Sequence, residues 1–421
     1  MISDLSQRLS TLRLIAETHC ERGNQFAEQG QEDAAISDYH HAIQYCPDYP
    51  EVWNNLGNVL RQKGQWAEAV TAYRHALTLG LNHPVVYYNL GTALRQGGEP
   101  NAAITALNVA LAVAPEFPEI HNNLGNAFRD LERFSEAVEA YLKAVHLQPE
   151  YHDAHANLAS AVYLLYQQTP EYAIDAVRRW RAEHPDHPVA RHVGAALAID
   201  ASEPTPERAS DDYVRQTFNR FAEDFDEKLR AIGYRVPELI LSTLAAVLPS
   251  STQGPSLEIL DAGCGTGLCG PGLRRWAKRL EGMDLSSGML AQADRRGVYD
   301  ALEVKELTEY LALRQETFDV IAAADVFCYF GALEPVFRVA TRALRCGGWF
   351  VFSVERAEEN ETAFRLGAHG RYQHGETALR VILENLGLSI EKWSTETLRC
   401  ENGCPVFGFI VLVKKINGDE N

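Results

Sequence analysis

Gly263, Gly265 and Gly267 stand at alternate positions directly after an apolar run (257–260) and a carboxylate, Asp261. Glycine is required where a backbone turns sharply and lets a ligand touch the main chain. A strand, a glycine loop and a helix, here supplied by the apolar positions of 273–277, open a nucleotide-binding α/β unit. Seventeen residues after Gly267, Asp284 closes a second apolar stretch (280–283). An acid placed there accepts hydrogen bonds from both hydroxyls of a ribose. A dinucleotide fingerprint, G-x-G-x-x-G, needs its third glycine at 268, and that residue is Leu268.

The loop G-x-G-x-G with Asp261 two residues ahead, and the following GMDLSSGML (282–290), resemble the cofactor loop of class I methyltransferases. That resemblance implies S-adenosyl-L-methionine as the cofactor, with Asp261 at its ammonium end. The contact set it implies is Asp261, Gly263, Cys264, Gly265, Gly267, Asp284, Leu285, Met289, Glu306 and Asp325. Glu306 fills the place near the adenine where many relatives carry Asp, within Lys305-Glu306-Leu307. Later segments fit the same family in order: 318–325 as a fourth strand, 344–355 as a Gly-Gly turn into a fifth, and 406–414 as the last. Segment 218–237 resembles the helix that lids the cofactor. Its Phe218, Phe221 and Phe225 share one helical face, which serves a core as well as a lid. DVFCYFGALEP (325–335) and GRYQHGE (370–376) resemble a bacterial group of predicted methyltransferases fused to tetratricopeptide repeats.

The implied reaction is an in-line displacement, in which the protein chiefly positions the acceptor. A base is needed only where the acceptor must lose a proton. His374, Tyr372 and Asp325 are the catalytic candidates, Asp325 because it falls on the rim where open α/β sheets hold ligands. Arg371 suits an acidic acceptor, although an exposed arginine is the ordinary reading. The slot after the fourth strand holds Asp325-Val326-Phe327-Cys328. It lacks the N-P-P-Y or D-P-P-Y of methyltransferases acting on exocyclic amines of DNA or on glutamine. It also lacks the proline that precedes a pyrimidine C5 nucleophile.

Such a site must be carried by ordered elements, and the first half of the chain has its own periodicity. Gly23, Gly57, Gly91 and Gly125 recur every 34 residues, with Ala159 in the next slot. Ala35, Ala69, Ala103 and Ala137 keep the same step, as do Tyr39, Tyr73, Leu107 and Tyr141. That period and its small-and-aromatic pattern match the tetratricopeptide helix–turn–helix unit. The expected division is an N-terminal helix over 1–15 and a superhelix over 16–200. The superhelix holds about five repeats, starting near 16, 50, 84, 118 and 152, and a capping helix. A linker over 201–212, a methyltransferase domain over 213–416 and a tail over 417–421 follow. The fold class expected is therefore multidomain: an all-α superhelix followed by a Rossmann-like α/β domain with a seven-stranded sheet. Asn55, Asn89, Asn123 and Asn157 also recur at 34 and stack on one side of the superhelix. Their amides suit an extended peptide backbone in the concave groove, and NNLGN resembles the repeats of O-linked N-acetylglucosamine transferases. The same amides equally suit bonds between neighbouring repeats.

Composition narrows the partners. Thirty-nine basic against 57 acidic residues leave −18, which disfavours nucleic-acid binding. The longest apolar run, 239–248, is too short to span a bilayer. No secretory leader is visible in 1–15, and eight scattered cysteines suit a cytoplasmic chain. Cys400 and Cys404 have no further ligands to complete a metal set, so no metal is expected. The reading is an adenosylmethionine-dependent methyltransferase acting on oxygen or nitrogen, its repeats recruiting a protein partner or a peptide acceptor. The alternatives are a small-molecule methyltransferase, of a glycan or secondary metabolite, with repeats used for oligomerisation, and a non-catalytic adaptor.

Overall fold

A computed structural model describes residues 2–200, 202–248, 255–358, 363–401 and 403–416. The start of the expected linker at 201 and the tail over 417–421 lie outside them. The chain forms two compact units, Met1–Glu183 and His184–Asn421.

The described part of the first unit is ten helices: Ile2–Glu28, Glu32–Tyr45, Pro50–Gln62, Trp66–Thr78, Pro84–Gln96, Pro100–Val113, Pro118–Asp130, Phe134–Leu147, His152–Gln168 and Pro170–Glu183. Proline opens several of them, where its missing N–H is not needed. The N-terminal helix expected over 1–15 runs on without a break into the first repeat. In the fifth repeat the first helix has 17 residues and a one-residue link, against 13 residues and three-residue links earlier. The total of 18 against 16 lengthens this repeat by two residues.

The period has a steric cause. A Cβ on Gly23, Gly57 or Gly125 would stand 2.6, 2.7 or 2.5 Å from the ring of Tyr39, Tyr73 or Tyr141, and one on Gly91 would stand 2.6 Å from Leu107. The three tyrosine hydroxyls donate to Asn24, Asn58 and Asn126 at 2.8, 2.8 and 2.9 Å. The repeat with Leu107 has Thr92 in the asparagine slot, so the phenol donor and its amide acceptor are replaced together.

The asparagine ladder corrects the peptide-binding expectation. Asn55, Asn89 and Asn157 donate their Nδ2 to Asn24, Asn58 and Asn122 at 3.0, 3.1 and 2.8 Å, and Asn123 donates to Thr92 Oγ1 at 3.4 Å. Asn89, Asn123 and Asn157 are buried. These donors tie each repeat to the one before it, and a buried amide so engaged is not offered to a peptide.

Helix Pro188–Ala196, expected to cap the superhelix, groups with the second unit. Its His192 donates from Nε2 to Gly370 O at 2.8 Å and stacks on Tyr213, with ring centroids 3.9 Å apart. Burial pushes this histidine down to about 4.

The sheet of the second unit is built from β1 (Leu257–Ala262), β2 (Ala277–Asp284), β3 (Ala301–Val304), β4 (Phe318–Ala323), β5 (Leu344–Arg356), β6 (Phe364–Leu366), β7 (Tyr372–His374), β8 (Leu388–Glu401) and β9 (Cys404–Lys415). Strands β3-β2-β1-β4-β5 are parallel, β9 is antiparallel to β5, and β8 is antiparallel to β9. These are the seven strands expected. The short hairpin β6–β7 brings the sheet to nine, β7 pairing with Glu355 and Arg356 of β5. The apolar run of β4 is buried, as a parallel strand covered on both faces requires. The anticipated Gly-Gly turn before the fifth strand is instead an irregularity within β5, where Gly347 takes φ 75°.

Candidate active site

Asp261 leaves β1 buried, and the loop after it turns through three left-handed glycines, Gly263, Gly265 and Gly267, at φ 62°, 54° and 81°. Only glycine takes such torsions in succession at little cost. The loop is held from β2: Cys264 N donates to Met283 O at 2.9 Å, and Gly265 N to Asp284 Oδ2 at 3.0 Å. Ser286 N donates to the other oxygen of Asp284 at 2.8 Å. Burial raises the Asp284 carboxyl above its ordinary range, against the pull of these backbone N–H groups. Asp261 accepts from the Tyr299 hydroxyl at 2.6 Å, and burial pushes it up to about 7.

These residues meet a cavity of about 300 Å³ at the carboxyl ends of β1, β2 and β4. Asp261, Gly263, Cys264, Gly265, Asp284, Leu285, Met289, Glu306 and Asp325 all line it. Gly267 does not; a Cβ there would meet the Tyr299 ring at 3.0 Å, so it shapes the loop from behind. Glu306 caps helix Leu307–Ala312, accepting from Glu309 N at 2.8 Å and from Arg208 at 3.1 Å.

Phe218, Phe221 and Phe225 line the same cavity. They do so from two helices, Asp211–Phe221 and Phe225–Ala231, and the single helical face expected is broken between them. Asn219 fastens this lid to the turn after β2, bonding Ser286 Oγ at 2.6 Å and accepting from Gly288 N at 3.2 Å. Arg296 pairs with Asp226 beside the glycine loop.

Two catalytic candidates fall away. His374 is buried on β7 with Nε2 donating to Phe327 O at 3.3 Å, and burial pushes it down to about 4. Tyr372, fully buried, donates to Pro206 O at 2.9 Å. Neither lines the cavity. The alternation of β7 turns both inward, so polar type alone misplaced them. Asp325 does line the cavity, in a left-handed conformation (φ 56°) that a non-glycine residue adopts under local constraint.

Sequence reasoning missed the group that holds Asp325. Arg399 of β8, 2% exposed, donates to Asp325 at 2.9 Å, to Glu401 at 2.6 Å and to buried Glu355. Ser353 Oγ lies 3.3 Å from the other Asp325 oxygen. Burial raises Asp325 and Arg399 opposes it. Arg371 also lines the cavity and pairs with Glu401, which the two arginines bring down to about 2 against its burial. No local motif announces this network, because its members come from β5, β8 and two loops.

In the first unit, His19, Asp38 and His41 converge closely enough to share a cation. Arg22 already binds both oxygens of Asp38, holding that carboxyl near 2.

Residues 260–352 match the family model described as a methyltransferase domain, and tetratricopeptide models match 23–60, 48–116, 88–152 and 122–188. Methyltransferase-like protein 27 of Homo sapiens is 38% identical over 106 residues, 25% of this chain and 42% of that protein. A malonyl-acyl-carrier-protein O-methyltransferase of Geobacter sulfurreducens is 35% identical over 147 residues, 34% of this chain and 52% of that one. The chain thus spans about half the length of the curated relatives it matches. The crystal structure of magnesium protoporphyrin IX methyltransferase from Synechocystis PCC 6803, with S-adenosylmethionine bound, is 19% identical with a TM-score of 0.37. It covers 49% of this chain and 96% of its own.

Proposed function

From a chain that joins tetratricopeptide repeats to a methyltransferase domain of the S-adenosyl-L-methionine-dependent class, we propose that the second unit moves a methyl group from that cofactor to an oxygen or nitrogen acceptor. The repeats hold a protein that is the acceptor or delivers it. One observation carries the reading: the Asp284 carboxylate, lining the cavity, is fixed by Gly265 N–H and Ser286 N–H beside the left-handed glycine loop. Its oxygens accept these backbone N–H groups and still carry lone pairs for ribose hydroxyls.

The residues fit the cofactor in other respects. No heavy atom lies within 4 Å of where a Cβ on Gly265 would stand, so the main chain there borders open space. Asp261 and Asp284 place two carboxylates beside the glycine loop, in a cavity that Arg208, Lys305, Arg371 and Arg399 also line, and these two supply the counter-charge for a cationic ligand. When bound, the cofactor supplies a methyl carbon activated by its sulfonium. The protein's part is to grip the sugar through Asp284, meet the ammonium end with Asp261, and exclude water with the lid of Phe218, Phe221 and Phe225. The O-methyl chemistry named for the Geobacter relative favours oxygen as the acceptor. The eight free cysteines fit a reducing cytoplasm. No helix among the described residues is long and apolar enough to cross a membrane.

Calorimetric titration of S-adenosylmethionine into the full chain tests this. Asp284→Ala should weaken binding roughly ten- to hundredfold, or about 1.5–3 kcal/mol, by losing charge-assisted bonds. Unchanged affinity would overturn the ribose assignment. No heat with the unaltered protein would leave an adaptor in place of an enzyme.

A further inference from the structure

Arg371 and Arg399 both line the cavity but differ in what they have left to offer. Arg399 is consumed: Nε, Nη1 and Nη2 go to three different carboxylates, and the residue is almost fully buried. Arg371 bonds through Nη1 alone, to Glu401, with Glu355 at 3.7 Å. Its Nε and Nη2 donate to no acceptor among the described residues, and its side chain is 28% exposed. A guanidinium edge with two free N–H groups matches a planar anion with two oxygens. Tyr329, Cys328 and Phe330 share that cavity, so an anion entering it sheds water and relies on this edge. Three carboxylates already accompany the two arginines, which favours a monoanion over a dianion.

A second observation bears on the same acceptor. No histidine lines the cavity among the described residues. Its carboxylates are engaged: Asp261 by Tyr299, Asp284 by two backbone N–H groups, Glu306 by Glu309 N and Arg208, and Asp325 by Arg399 and Ser353. Burial raises the thiols of Cys264, Cys269 and Cys328 and keeps them protonated. Lys305 also lines the cavity and pairs with Glu303 at 3.7 Å, so an acceptor that must surrender a proton meets only groups already paired or hydrogen-bonded. A carboxylate has no proton to surrender.

We propose that the acceptor is a carboxylic acid, anchored as its carboxylate by the free edge of Arg371 and methylated on oxygen to a methyl ester. This rests on the methyltransferase reading above. A lone pair on the carboxylate oxygen forms the bond to the methyl carbon, the carbon–sulfur bond breaks, and its electron pair returns to sulfur. The sulfonium charge and the carboxylate charge disappear together, and no proton moves. The neutral ester loses its hold on Arg371, which favours release.

The test is calorimetry on the full chain saturated with S-adenosylhomocysteine, using octanoate, octanamide and octyl phosphate as probes. Octanoate should bind at least tenfold tighter than octanamide. Arg371→Met should abolish that preference, Arg371→Lys should keep part of it, and S-adenosylmethionine affinity should stay within twofold in both. Octanoate binding no better than octanamide, or unaffected by Arg371→Met, overturns the proposal. So does tighter binding of octyl phosphate, which would make the site one for phosphate. A fall in S-adenosylmethionine affinity in Arg371→Met also overturns it, assigning the arginine to the cofactor's own carboxylate. With methyl-labelled cofactor, label transferred to octanoate should leave as methanol in mild alkali; label that survives alkali excludes the ester. If the unaltered protein binds no cofactor, it is the earlier reading that fails, and the controls separate the two.

Discussion

Glycine serves the two units for opposite reasons. In the repeats, Gly23, Gly57, Gly91 and Gly125 lie within helices, and an added Cβ would press to 2.5–2.7 Å of a side chain on the next helix. In the loop after β1, Gly265 has open space around it but a φ of 54°. The repeats need the room a missing atom leaves, and the loop needs the torsional freedom. More broadly, the first unit secures itself with one lock used four times. The second depends on groups present once, such as Arg399, for which no duplicate exists.

The sharpest way to break that contrast is Arg399→Met. It leaves Asp325 without its cation and buried Glu355 with Arg371 alone, at 3.7 Å. The expected loss is about 3–5 kcal/mol of unfolding free energy by denaturant titration; a loss under 1 kcal/mol would show the network to be dispensable. His374→Gln comes next. The folded protein favours its neutral imidazole, so its contribution is complete above pH 6.5 and lost as pH falls toward 4. That contribution amounts to roughly 3 kcal/mol, which the variant should no longer show in stability measured across this range. Methyl transfer should keep its pH profile, and a collapse of the rate in a folded variant would restore His374 as a base.

Gly125→Ala should cost about 1–3 kcal/mol as the Tyr141 ring is displaced, with cofactor affinity unchanged. Gly265→Ala should cost about 1–2 kcal/mol by torsional strain and weaken cofactor binding. Identical behaviour of the two would erase the distinction between room and freedom. Smallest is Asn89→Ala, about 1 kcal/mol from one buried hydrogen bond; a change in partner capture with stability intact would return the ladder to the groove.

Legibility in the sequence followed the range of the interactions. The 34-residue step and the glycine loop were readable because each is a short pattern with one steric or torsional cause. The ladder was readable as a pattern but not in meaning, since spacing does not say whether an amide faces a groove or a neighbour. Tyr372 and His374 were misread because a three-residue strand is too short to reveal which face is buried. Arg399 was invisible: its partners lie 44 and 74 residues away on other elements, and an arginine in a strand ordinarily means an exposed edge.

The paired exchange of Leu107 and Thr92 leaves its mark on the mechanics of the superhelix. Every other junction in the ladder closes with an asparagine–asparagine bond of 2.8–3.1 Å, whereas this one closes on a hydroxyl at 3.4 Å. Its companion across the same junction, Arg95 to Asp130, is partly exposed and weakened by salt. The array therefore has its longest ladder bond between its third and fourth repeats.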